Sequence, residues 1–146
     1  MIRMFHDTFY YKTEIPKPIS EVWSFFQTNE NLAAITAFPK IDILGDVDVF
    51  EGASVHLQLN FFVVKLQWKG KITEVVEQAY FIDEGESLPF PFKSWKHVHA
   101  FKKVNEEKTK MIDRVEYEAY VPPLLANFVL KGMFNDRKKQ LKKKFK

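Results

Sequence analysis

The chain has 146 residues, the length of one domain, and its 46% hydrophobic and 28% charged residues exclude a disordered or fibrous protein. Zero cysteines exclude a disulfide framework, thiolate metal sites and a cysteine nucleophile. Residues 131–146 carry eight Lys or Arg against one acid, a balance of +7, while 14 basic and 18 acidic residues leave the rest at −4. A basic end on an acidic body argues against a nucleic-acid partner.

Phe5 to Ile15 reads as a strand, stopped by Pro16 and Pro18. Ile19, Val22, Trp23 and Phe26 fall at helical spacing, with Ser20 as the N-cap and Glu21 in the first turn. Thr28 or Asn29 caps a second short helix in which Leu32, Ile35 and Thr36 share a face, and Pro39 ends it. Strands then follow one another. Ile41–Leu44 and Val47–Glu51 are split by Gly45-Asp46, and Gly52 marks a turn. Val55, Leu57, Leu59 and Phe61 alternate with polar residues, as do Leu66, Trp68, Gly70 and Ile72. Ala79–Glu84 is a short strand, and Leu88–Phe92, with prolines at 89 and 91, is a loop. Ser94–Val104 and Thr109–Tyr120 form a long hairpin around Asn105-Glu106-Glu107. A helix runs from Pro122-Pro123 to near the C-terminus, with a stripe of Leu125, Phe128, Val129, Gly132, Met133 and Leu141.

Strand, two helices, six strands and a long helix make a single α+β domain spanning 1–146. A curved seven-stranded antiparallel sheet wrapped around the long C-terminal helix leaves a hollow between the layers. Aromatic residues make up 16% of the chain, 15 of them Phe, so the rings either fill a dense core or line that hollow. No run approaches 18 apolar residues, and MIRMFHDTFYYK has neither an apolar signal core nor a cleavage site, so a cytoplasmic protein is expected.

Several segments together resemble the START-like superfamily, also called SRPBCC or polyketide cyclase/dehydrase-like, and most closely its bacterial ligand-binding members. They are Ile19-Ser20-Glu21-Val22-Trp23, Trp68 with Ile72, Phe81-Ile82-Asp83, the run from Pro91 to Phe101 containing Trp95, His97 and His99, and Thr109 to Tyr117 containing Met111 and Asp113. The W-x-H-x-H-x-F and T-x-M-x-D-x-V-x-Y pair carries most of the likeness, which spans nearly the whole chain. The resemblance implies a helix-grip fold and a small hydrophobic or aromatic ligand. The family's usual glycine before the Pro-Phe is Phe90 here, and its Gly- or Pro-containing turn reads Phe61-Phe62-Val63-Val64.

Alternation sends Trp95, His97, His99 and Phe101 to one face, and Met111, Asp113, Val115 and Tyr117 to one face of the next strand. A three-residue loop at 105–107 sets Phe101 opposite Met111, His99 opposite Asp113, His97 opposite Val115 and Trp95 opposite Tyr117. One reading makes this a polar patch that holds a carbonyl or hydroxyl of the ligand. A sharper reading makes His99 and Asp113 a general acid/base pair of a cofactor-independent cyclase or dehydratase. The plainer reading is a structural hydrogen bond between strands. His97, His99 and Asp113 also offer three metal ligands, but no fourth is evident, and no metal or cofactor is assigned.

Trp68, Phe81, Trp95, Phe101, Met111, Tyr117 and Phe128 are candidate walls for an apolar ligand. Asp83 either faces inward with Phe81 or caps a turn. Phe61–Val64 reads as core or dimer contact in a monomer or homodimer. The lysine-rich end either solvates the helix terminus or makes weak contact with an anionic membrane surface, as a lipid or quinone carrier would. No P-loop, dinucleotide fingerprint, G-x-S-x-G, H-E-x-x-H or EF-hand pattern is present.

Overall fold

The computed structural model describes residues 3–146. Strand β1 (Phe5–Ile15) leads into helices α1 (Ile19–Phe25) and α2 (Asn29–Ala34). Strands β2 (Lys40–Ile43), β3 (Ser54–Asn60), β4 (Lys65–Val76), β5 (Tyr80–Ser87), β6 (Phe92–Asn105) and β7 (Lys108–Ala119) follow, and α3 (Pro123–Lys144) closes the chain. All seven strands make one curled antiparallel sheet in the order β1-β7-β6-β5-β4-β3-β2, with α3 packed on β1. The α+β helix-grip layout inferred from the sequence is the layout found.

The sheet bends where its register slips, between Lys69 and Gly70 and between Ile72 and Glu74. At Gly70 a Cβ atom would sit 2.4 Å from the Glu84 carbonyl oxygen, so the bend admits no side chain. Two local expectations are corrected. Helix α1 is capped by Pro18 rather than Ser20: the Pro18 carbonyl accepts the Glu21 and Val22 N–H groups, each at 3.1 Å. Thr28 does cap α2, accepting from Glu30 N at 3.2 Å. Val47–Glu51 is not a strand. Its backbone ties down the segment before α2 instead, with Val47 O accepting from Asn29 N at 2.8 Å and Val49 N donating to Gln27 O at 2.9 Å.

The core falls into two apolar clusters. The first gathers Trp23, Phe26, Ile35, Phe81, Phe101 and Met111 with others around α1 and the middle of the sheet. The second joins Trp95, Val115, Tyr117 and Ala119 to Ala126, Leu130 and Phe134 of α3.

Helix α3 presents a different face from the one inferred. Ala126, Leu130, Phe134 and Leu141 are buried, whereas Leu125, Val129 and Met133 are exposed and Phe128 is 76% exposed. The first half of this helix is apolar all round, so periodicity offers two faces and tertiary bonds choose. Tyr117 donates to Asn127 Oδ1 at 2.7 Å, Asn127 Nδ2 donates to Asp7 Oδ2 at 2.9 Å, and Tyr11 donates to Asn135 Oδ1 at 2.6 Å. Asn127 and Asn135 border the buried track and orient it toward the sheet.

Of the Phe61–Val64 turn, Phe62, Val63 and Val64 are exposed rather than core, while Phe61 is half-buried against Phe38 at 5.5 Å. Phe62 is 86% exposed with φ of 72°, a left-handed conformation where a glycine is usual, and its ring stacks on Phe38 at 5.7 Å. Among the described residues no helix is long and apolar enough to cross a membrane.

Gly132 lies mid-helix, and a Cβ there would meet nothing within 4 Å. Gly132→Ala should therefore raise stability by about 0.5–1 kcal/mol through helix propensity alone. Urea unfolding with an unchanged slope and a higher midpoint checks it.

Candidate functional site

The register between β6 and β7 is the one inferred: Phe101 pairs with Met111, His99 with Asp113, His97 with Val115 and Trp95 with Tyr117. The hairpin reaches it differently. Asn105 pairs with Lys108 across a two-residue turn, and an irregularity between Lys103 and Asn105 restores the missing residue. On the other flank, β5 sets Asp83 opposite His97 and Phe81 opposite His99. Three adjacent strands thus bring two histidines and two aspartates to one face.

The side chains bond diagonally, which corrects the inferred His99–Asp113 pair. His97 Nε2 lies 2.8 Å from Asp113 Oδ1, and His99 Nε2 lies 2.5 Å from Asp83 Oδ2. The directly opposed groups are too far apart to bond, with His99 Nδ1 3.8 Å from Asp113 Oδ1 and His97 Nδ1 3.9 Å from Asp83 Oδ2. Strand side chains lean along the strand, so a diagonal neighbour is within reach of a ring as long as imidazole. The two rings stack at 3.6 Å and 22°. Phe81 stacks on His99 at 4.2 Å, and the edges of Trp95 and Phe134 approach His97 at 5.9 and 5.7 Å.

Burial raises the Asp83 and Asp113 carboxyls, but the imidazole hydrogen bonds and the charges of His97, His99 and Arg137 outweigh it and hold both below the ordinary range. Burial, reinforced by the neighbouring His97, pushes His99 down against the pull of Asp83. Burial likewise lowers Arg137, opposed by Asp113 and Asp83. An ionised carboxylate only accepts, so each short bond has an Nε2–H donating to it.

Above this cluster lies a cavity of about 320 Å³, between the segment after α2, the inner side of α3 and the sheet. Ile35, Phe38, Pro39, Met133 and Phe134 give it apolar walls, Trp95 and His97 reach it from the sheet, and Arg137 reaches it from the helix. Of the inferred wall residues, Trp95 and His97 are therefore among those lining this hollow. Phe81, Phe101 and Met111 pack into the first apolar cluster, where Trp23 lies 5.2 Å from Phe101. Trp68 packs edge-on against Trp95 at 4.9 Å, and Tyr117 is buried with its hydroxyl on Asn127. Phe128 faces away. A second depression of about 460 Å³ is lined by charged residues, Glu84, Lys96, Glu116 and Glu118 among them, together with Trp95 and Tyr117.

Sequence reasoning missed Arg137 because it sits among lysines. Its signal was available: it is the only arginine in the basic end, one turn beyond Phe134, and its guanidinium lies 5.2 Å from that ring's centre.

No protein-family model matches the chain, and no curated protein does. Solved structures do. Norcoclaurine synthase from Thalictrum flavum, in complex with dopamine and hydroxybenzaldehyde, is similar over 96% of this chain and 88% of its own, with a TM-score of 0.68 and 14% identity. Protein Mll3558 from Rhizobium loti matches over 94% of this chain and 99% of its own, with a TM-score of 0.74 and 10% identity. Ara h 8.0201 matches over 94% and 98%, with a TM-score of 0.69 and 11% identity. What they share with this chain is the fold. The helix-grip architecture implied by the sequence resemblance is thereby borne out.

Burial and the nearby Asp7 charge push the Tyr117 phenol up to about 12. Absorbance titration should show one tyrosine ionising near that value, and Tyr117→Phe should remove that step. A folded-state value above the unfolded one, about 10, means stability is complete below pH 10 and falls as pH rises toward 12. The Tyr117→Phe variant should lose part of that alkaline dependence.

Proposed function

We propose that the protein binds a small hydrophobic or aromatic molecule in the cavity between the curled sheet and α3. The observation that carries this reading is an apolar hollow into which only a few polar groups project, His97 and Arg137 among them. Binding sites for organic molecules have that character: apolar walls supply affinity and a few fixed polar groups orient the ligand. An engineered apolar cavity of about 150 Å³ takes one benzene ring, so 320 Å³ suits a molecule of one or two rings. Arg137 would hold its carbonyl or carboxylate, and His97, whose Nε2–H is given to Asp113, would accept from its hydroxyl. A protein of the same fold, norcoclaurine synthase, has been solved with two aromatic molecules, which supports this ligand class.

Native mass spectrometry of gently purified protein should show a stoichiometric organic adduct that is lost on denaturation. Met133→Trp, which blocks the mouth, should abolish it. A bare mass together with no thermal shift across an aromatic-ligand panel would overturn the reading. His97→Asn separates binding from turnover. A binder loses roughly tenfold in affinity with one hydrogen bond, whereas an acid–base cyclase or dehydratase loses roughly 10²–10⁴-fold in rate. His97 reaches the cavity, so it replaces His99 as the base in that catalytic reading.

A specific surface supports a second reading, a carrier that docks on membranes. Leu124, at 88% exposure, joins Leu125, Phe128, Val129 and Met133 in an uncovered stripe along α3, and the lysine-rich turns continue the same helix. Each lysine near an anionic leaflet contributes about 1 kcal/mol, and the stripe would bury apolar area. Vesicles containing anionic lipid should retain the protein at low salt. Lys142→Gln, Lys143→Gln and Lys144→Gln together should release it, as should Leu124→Asp with Phe128→Asp. Equal recovery of all three proteins with the anionic vesicles would sink this reading.

A further inference from the structure

We propose that Asp83, His97 and His99 form a binding site for a divalent transition-metal ion of the zinc type, with Asp113 as the carboxylate that orients one of its histidines. The donor that the sequence did not supply is Asp83. One donor atom from each of the three residues lies within 4.8 Å of the other two. His97 Nδ1 stands 3.9 Å from Asp83 Oδ2, beyond hydrogen-bond range but within the span of two metal–ligand bonds of about 2.0–2.2 Å each. His99 Nε2 stands 2.5 Å from the same carboxylate oxygen.

The rest of the cluster is arranged as such a site requires. A ligating imidazole commonly donates its other N–H to a carboxylate, which fixes the tautomer and turns the lone pair toward the metal. His97 Nε2–H donates to Asp113 at 2.8 Å, which leaves Nδ1 unprotonated on the side of Asp83. Stacking on Phe81 holds the His99 ring, and the Trp95 and Phe134 edges hold the His97 ring. The three donors come from neighbouring strands in fixed register, so loading needs the short His99–Asp83 contact to open around the ion while the backbone stays in place.

Chemistry selects the ion. Two imidazoles and one carboxylate suit zinc, cobalt or nickel, whereas magnesium and calcium prefer all-oxygen sets. Charge points the same way. Two carboxylates are 3% exposed in one case and only partly exposed in the other, with Arg137 as the cation supplied by the helix. Buried carboxylates are costly unless compensated, and a divalent ion compensates them more fully than two hydrogen bonds do. Loading exchanges the Nε2 proton of His99 for the ion. A tetrahedral ion with three protein ligands keeps one position for water.

The inference does not rest on the ligand-binding reading and is tested with no organic molecule present. Chelator-stripped protein is titrated with zinc sulfate by calorimetry and native mass spectrometry, and cobalt(II) loading is followed by visible absorption. One equivalent should bind with micromolar affinity or better, cobalt(II) should give tetrahedral bands, and the imidazole nitrogen resonances of His97 and His99 should shift. His99→Gln should abolish stoichiometric binding, and Asp113→Asn should weaken it roughly 10–100-fold. The chain's other two histidines, His6 and His56, serve as controls: His6→Gln with His56→Gln should bind as the wild type does. Should His99→Gln fail to fold, the wild-type imidazole resonances decide alone. No stoichiometric uptake, uptake without movement of those resonances, or loss of uptake in the His6/His56 control would each overturn the proposal.

Discussion

Two stacked imidazoles held between two carboxylates lie where the two apolar clusters of the core meet. His99 rests on Phe81 of one cluster, and His97 is clasped by Trp95 and Phe134 of the other. Polar groups in that position are tolerated only because each short contact pairs a donor with a charged acceptor. The pairing in turn depends on strand register. A slip of one residue between β6 and β7 would turn Asp113 to the outer face and leave His97 without its acceptor. The cluster therefore adds to the apolar pattern of the buried face in acting against misregistered sheets.

The cavity above it follows from the sheet's curl and from the face that α3 presents. The bend at Gly70 brings β4 close to β5, and the buried track Ala126-Leu130-Phe134 lays the helix across the concave side. Phe134 and Arg137, further along the helix than Ala126 and Leu130, line the hollow. The hollow opens at that second half, beside Phe38 and Met133. Gly132, which approaches nothing, contributes by leaving that side unfilled.

Much of this was legible in the sequence, for physical reasons. Period-two alternation in β6 and β7 assigns faces, and one short loop sets the register, so the pairing could be read to the residue. The diagonal bonds could not, because they depend on how a third strand, β5, brings Asp83 alongside. The face of α3 was misread since an all-apolar half-helix has no preferred side until Asn127 and Asn135 find Tyr117, Asp7 and Tyr11 on distant strands. Phe128 fell with that error. Wall and filler aromatics were equally hard to separate: Phe81, Phe101 and Met111 sit on the same sheet face as Trp95. The arrival of Trp23 from α1 makes them core.

A chain with 15 Phe nonetheless keeps a hollow. Rings fill space well when they meet edge to face, and Trp23, Phe25, Phe26, Phe101 and Phe145 do so at the α1 end. The opposite side of His97 cannot be sealed the same way. Arg137 lines the cavity there, and a Phe in its place would remove the cation whose charge acts on Asp83 and Asp113. The buried carboxylates are met by imidazoles at the floor and by the charge of Arg137 on the helix, and the cavity lies between His97 and Arg137. The space between them is what the proposed ligand, with one polar end and an aromatic body, would occupy.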